Sequence, residues 1–214
     1  MKKIVFGIEA RCSDCELIFP RTDKTNVLLL INQRVVRNDI PYEAVGTSFY
    51  GIGFKNGFFV LSKTRIVYGG RSQRIGYLSF IVALKNDEAN LNLFDQIEKL
   101  ENDYYDEKLS EQNDSPEIIK EVNKKLRKNE KPPETIATLY KSDEELKNNF
   151  HCLDSYKNYR QIYFIKPEDQ KKLENGIKYD HFFDNINEIK KQKENVPLKE
   201  NDKKLFSFKS IFKR

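Results

Sequence analysis

The chain has 214 residues, 38% hydrophobic and 33% charged, with three cysteines and a formal net charge of +5. This composition is lean in core and rich in surface for a globular domain, and an odd cysteine count in a chain of this length implies no disulfide framework. The longest apolar run, Val27 to Ile31, falls far short of the ~20 residues that span a bilayer, so the expectation is a cytoplasmic protein without a transmembrane segment.

Charge is uneven along the chain. Residues 1–85 carry 13 Lys and Arg against 6 Asp and Glu, residues 86–185 carry 16 against 23, and residues 186–214 carry 9 against 4. A basic block, an acidic block and a second basic block can neutralise one another as readily as they attract partners. Seven of the ten arginines (Arg11, Arg21, Arg34, Arg37, Arg65, Arg71 and Arg74) lie in the first block. The rigid fork of arginine suits carboxylate and phosphate recognition.

In chain order, the N-terminal block reads as strands near 3–8, 27–32, 49–54, 58–62, 65–69 and 76–84. Seven of the nine glycines fall between Gly46 and Gly76 and separate runs rich in Val, Ile, Phe and Tyr. Asn56-Gly57 between aromatic runs is a strong hairpin signal, and Gly69-Gly70 marks another turn. The result is an antiparallel β meander. After Asn86 the period becomes helical, with Leu93, Ile97, Leu100 and Tyr104 on one stripe and acidic residues opposite, which predicts an amphipathic helix over about 90–109 covering the sheet.

Ser115-Pro116 opens a second helix, about 116–129, that stops before Lys131-Pro132-Pro133. Thr135–Tyr140 then reads as a strand, Ser142-x-x-Glu145 as a capping box, and Gln161–Ile165 as a further strand. Pro167 starts a helix that Gly176 ends. From about Ile186 the chain is too charged to bury itself unaided. The fold class is therefore α+β: residues 1–109 as a β-rich domain with a covering helix, 110–133 as a helical linker, 134–193 as a small αβ segment and 194–214 as a linker with a basic aromatic tail. Whether 134–193 joins the first sheet or forms its own lobe is open at this level.

Chemistry-bearing patterns are sparse. Cys12-x-x-Cys15 has the spacing of a zinc knuckle or redox pair, and His151-Cys152 could complete a ligand set, but adjacent His and Cys point to different sides of the backbone and no second knuckle follows. The expectation is no metal site. The only other histidine, His181, sits in Asp180-His181-Phe182-Phe183-Asp184, where the aromatic neighbours suit docking as well as chemistry. No P-loop, nucleophile elbow or dinucleotide fingerprint occurs, so no cofactor is implied and the reading leans away from an enzyme.

Two features point to binding instead. Around Gly69-Gly70, Arg71 and Arg74 flank a turn whose backbone amides can form an anion-binding nest, the competing view being a solvated hairpin loop. The tail from Lys203 to Arg214 sets Leu205, Phe206, Phe208 and Phe212 among lysines, as a groove-docking peptide or interfacial anchor does. The aromatic set Phe49, Tyr50, Phe54, Phe58, Phe59, Tyr68, Tyr77 and Phe80 lies among basic residues but is needed for core, since the chain has no tryptophan. The expectation is a non-enzymatic protein-binding or adaptor subunit of a larger cytoplasmic assembly. The alternatives are binding to nucleic acid through the Arg-rich block or to an anionic membrane through the tail, and a metal-dependent or hydrolytic enzyme.

Overall fold

The computed structural model describes residues 4–11, 15–19, 40–55, 58–69, 74–85, 93–109, 134–150 and 159–189. The expected strand near 27–32, the helix near 116–129, the double proline, Cys12, His151, Cys152, Arg71 and the whole of 194–214 lie outside these residues. Within them the chain is a mixed α+β structure built on one sheet. The strands are β1 (Ile4–Arg11), β2 (Cys15–Phe19), β3 (Ser48–Lys55), β4 (Phe58–Gly69), β5 (Arg74–Lys85), β6 (Thr135–Leu139), β7 (Gln161–Ile165) and β8 (His181–Phe183). The helices are α1 (Leu93–Tyr105), α2 (Asp143–Phe150) and α3 (Gln170–Leu173), with short 3-10 turns at Tyr42–Ala44 and Pro167–Asp169.

The strand order is β2-β1-β5-β4-β3-β7-β6-β8. From β2 to β7 every neighbouring pair is antiparallel, whereas β6 runs parallel to both β7 and β8. The segment after residue 134 thus extends the sheet that the N-terminal strands begin, which answers the question its sequence left open. Lys55 pairs with Phe58, so Asn56-Gly57 alone connects β3 to β4, the two-residue length that a tight hairpin requires. Strand β4 runs unbroken through Lys63 and Thr64, where the sequence suggested two strands, 58–62 and 65–69. A lysine inside a strand is tolerated there because a carboxylate on α1 meets it, as described below.

Alternation along the strands gives the sheet two apolar faces. On the helix face, Phe6, Ile8, Tyr50, Ile52, Phe59, Leu61, Phe80, Val82, Ile162 and Phe164 pack beneath Leu93, Phe94, Ile97 and Leu100 of α1 and Leu146 of α2. Ile186 and Ile189, on a helical turn over 186–189, complete this layer. Each such fully buried side chain contributes about 1.5–3 kcal/mol, so the amphipathic stripe and not helix propensity holds α1 in place. The opposite face is thinner: Phe49, Ile66, Tyr77, Tyr163 and Ile165 meet Ala44, Leu173 and Ile177.

Local signals set the remaining elements. Ser142 Oγ accepts the Glu145 amide at 3.1 Å while Glu145 Oε2 accepts the Lys141 amide at 2.6 Å, a capping box whose reciprocal bond falls one residue before the cap. Pro167 opens a 3-10 turn that passes into α3, and the Gly176 amide then closes onto the Leu173 carbonyl at 2.9 Å. Gly46, at φ +88°, lets the chain turn so that its amide reaches the Ile66 carbonyl at 2.9 Å. Gly51 is required for a different reason: a Cβ there would stand 2.6 Å from Ser62 Oγ and 2.8 Å from Gln161 Nε2.

Candidate functional site

Four ionisable side chains, Tyr50, Lys63, Arg65 and Glu101, meet at the seam between α1 and the strands β3 and β4. Register places them. Tyr50 of β3 lies directly opposite Lys63 of β4, and both occupy the helix face. Arg65 follows Lys63 on the same face, two residues along. From above, α1 presents Glu101, only 4% exposed, one turn after Ile97 on the side that meets the sheet.

Glu101 binds both cations. Its Oε2 lies 2.7 Å from Lys63 Nζ, and its Oε1 contacts Arg65 Nε. Both carboxylate oxygens are therefore engaged by cations, and the trio retains one positive charge. Around it stand aromatic rings: Lys63 Nζ lies 5.6 Å from the centre of the Tyr50 ring, and the Arg65 guanidinium lies 5.8 Å from that of Tyr105. Tyr50 in turn packs on Phe94 at 5.1 Å and edge-on to Tyr140 at 6.0 Å. Lys147 of α2 reaches Asp95 of α1 at 3.2 Å and so ties the two helices across this seam.

The phenols here are held neutral. Burial pushes the Tyr50 hydroxyl far above its ordinary pKa, with Asp143, Tyr140, Glu98 and Glu101 adding to the shift. Burial also raises Tyr140, followed by the charges of Asp143, Glu168 and Asp169. Neither phenol is thereby activated as a nucleophile or base. What the seam can do is orient charge, and the group it orients toward solvent is Arg65, whose side chain remains 43% exposed beside Tyr105, itself 54% exposed.

Of the residues picked from sequence, Arg74 is exposed at the start of β5, opposite Gly69. Pairing of Arg65 with Leu78 and of Gly69 with Arg74 puts both arginines on the helix face, roughly 13 Å apart along the strand at ~3.3 Å per residue. Arg71, Leu205, Phe206, Phe208 and Phe212 lie outside the described residues. His181 is exposed on β8, with Nε2 3.5 Å from Glu134. Asp180 of the same segment is structural, its carboxylate accepting the Thr135 amide at 2.8 Å. Among the described residues no three His, Cys, Asp or Glu side chains group to hold a metal ion.

The sequence reading set the acidic residues of α1 toward solvent, and Glu101 corrects it. The signal that could have found this residue was its place one turn beyond Ile97 on the apolar stripe, matched to two cations two residues apart in a strand. A second polar group lies on the opposite face, where the Tyr77 hydroxyl donates to buried Glu9 Oε1 at 3.1 Å and the Thr64 and Ser79 hydroxyls bond at 2.8 Å. Of the aromatic set, Phe49, Tyr50, Phe59, Tyr77 and Phe80 are buried, and Tyr68 is 48% exposed, edge-on to exposed Tyr42 at 6.1 Å. No helix among the described residues is long and apolar enough to cross a membrane. Compared with protein-family models, with curated proteins and with solved structures, the chain matches none.

Proposed function

We propose that this chain is a non-enzymatic protein-binding subunit of a larger cytoplasmic assembly. It engages its partner through the arginine-bearing end of the sheet and through the basic aromatic tail. The observation that supports this reading is the arrangement of Arg65: Glu101 holds it from within, an exposed tyrosine lies beside it, and Arg74 follows on the same face. Interior charge is spent on orienting a surface group, and the buried phenols nearby are made less reactive. Tyrosine, with two side-chain torsions, and arginine, with a planar five-donor head group, are among the residues that most often anchor protein interfaces. The tail adds three phenylalanines, each worth about 1.5–3 kcal/mol when buried in a groove.

The test is recovery of cross-linked neighbours from the native cell with the full chain, with Arg74→Glu and with a chain lacking 203–214. The expected result is one partner, or one set, retained by the full chain and lost from the altered ones. Recovery of the same partner by all three would refute the reading. Binding that instead collapses between roughly 50 and 200 mM salt, as phosphate-driven binding does, would move the assignment to a nucleic acid or an anionic membrane.

A further inference from the structure

The inner nitrogen of Arg65, Nε, is shielded from solvent at the Glu101 carboxylate, yet the side chain as a whole remains 43% exposed. Exposure is therefore carried by the rest of the side chain, including the outer end of the guanidinium. Among the described residues no second carboxylate pairs with that end, and the guanidinium lies 5.8 Å from the centre of the Tyr105 ring. The Nε contact with Glu101 is an ion pair without hydrogen-bond geometry, so charge attraction and the Tyr105 ring, not a directed bond, bias the side chain toward this position, and its two terminal amino groups keep the fork geometry that a planar anion takes.

We propose that the outer fork of Arg65 is a carboxylate-binding site, filled by an Asp or Glu side chain of the protein partner with an apolar neighbour laid on Tyr105. This deepens the protein-binding reading and rests on it. Charge selects the carboxylate over a phosphate. Lys63, Arg65 and Glu101 leave a single positive charge, which a monoanion neutralises and a dianion overshoots. The site also adjoins the C-terminal end of α1, the negative end of the helix dipole, with Asp103 in its last turn and Asp106 and Glu107 just beyond. That setting tolerates one paired carboxylate far better than two or more negative charges.

The experiment measures fluorescence anisotropy of a labelled, end-blocked octapeptide holding one glutamate and two phenylalanines among uncharged residues, added to the full chain. A glutamine counterpart, a phosphoserine counterpart and a single-stranded oligonucleotide are run beside it. Arg65→Lys is the informative variant because it keeps a cation opposite Glu101, so the fold persists, while one ammonium must choose between Glu101 and the ligand. Arg160→Lys, at the exposed residue just before β7 and toward the other end of the strands, is the control.

The expected result is that the glutamate peptide binds, that the glutamine peptide does not, and that Arg65→Lys weakens binding about tenfold while Arg160→Lys leaves it unchanged. Equal binding by Arg65→Lys and the parent chain, equal binding of the glutamine peptide, no binding of any peptide, or tenfold tighter binding of the phosphoserine peptide or the oligonucleotide would each overturn the proposal. If the peptide assay fails while deleting 203–214 still strips the native partner, the carboxylate site is wrong and the protein-binding reading stands. If the native partner survives every change, the broader reading falls with it.

Discussion

Glu101→Gln removes one charge from the α1 seam and keeps the shape of the side chain. Lys63, whose side chain is 15% exposed, then loses its carboxylate in a largely desolvated place, while Arg65 at 43% exposure can turn partly to water. Breaking a fully buried pair costs about 3–5 kcal/mol. Because solvent screens the Arg65 share, the expected loss is lower, roughly 2–4 kcal/mol. For a chain of this length that corresponds to a fall in Tm of about 5–15 °C, followed by far-UV circular dichroism, with urea unfolding giving the free energy. A second variant separates charge imbalance from lost packing: Lys63→Met with Glu101→Leu removes the more buried pair, leaves Arg65 to turn its exposed end to water, and should recover part of the deficit, because apolar groups of similar volume replace buried ion pairs at little cost. The reasoning fails if Glu101→Gln shifts Tm by less than about 2 °C, or if the double variant is less stable than the single one.

Gly51→Ala should cost about 1–3 kcal/mol, since the new Cβ meets Ser62 Oγ and Gln161 Nε2 at sub-contact distance, and combining it with Ser62→Ala should return part of the loss in urea unfolding. Tyr50, Tyr140 and Tyr163 all have pKa values raised above 10.0, chiefly by burial. Above pH 10 the unfolded chain therefore binds fewer protons than the folded one. Stability is fully present below that pH and falls as pH rises, by up to about 1.4 kcal/mol per unit for each group. Phenolate absorbance should show these tyrosines ionising only together with loss of the circular dichroism signal, and uniform titration of all 11 near pH 10 in the folded chain would contradict it.

Legibility in the sequence followed the range of the forces involved. Asn56-Gly57, Ser142-x-x-Glu145 and Pro167 act within a few residues of themselves, and each marks an element boundary that the chain uses. Strand β4 was harder to read, because Lys63 in an apolar run looks like a break until its partner 38 positions on, at Glu101, is known. The placement of β7 beside β3 is likewise invisible locally. Nothing in Gln161–Ile165 says that it pairs with a strand more than a hundred residues earlier, although its five buried residues do mark it as interior to a sheet. The site suffered the same way: Arg65 was one arginine among seven, and only the three-dimensional meeting of β4 with α1 distinguishes it. Arg74 stands at the exposed start of β5, opposite Gly69, while the turn from which it was read lies outside the described residues.

The position of β3 between β4 and β7 also has a consequence for how the chain is made. One side of β3 is satisfied as soon as its hairpin forms, but the other waits for Gln161–Ile165, about 110 residues downstream. At ribosomal rates of ~5–20 residues per second, that is an interval of roughly 5–20 s during which a nascent chain presents an unpaired row of amides and carbonyls. The exposed row runs along Ser48–Lys55, apolar in composition and free of proline. A strand edge of that kind recruits other strands, so the half-synthesised protein is its own most vulnerable form. Ribosomes spaced closely on one message would bring such edges together. Slower translation between β3 and β7, which changes no residue of the folded protein, is therefore expected to lower the fraction recovered in soluble form, as comparison of synonymous messages would measure.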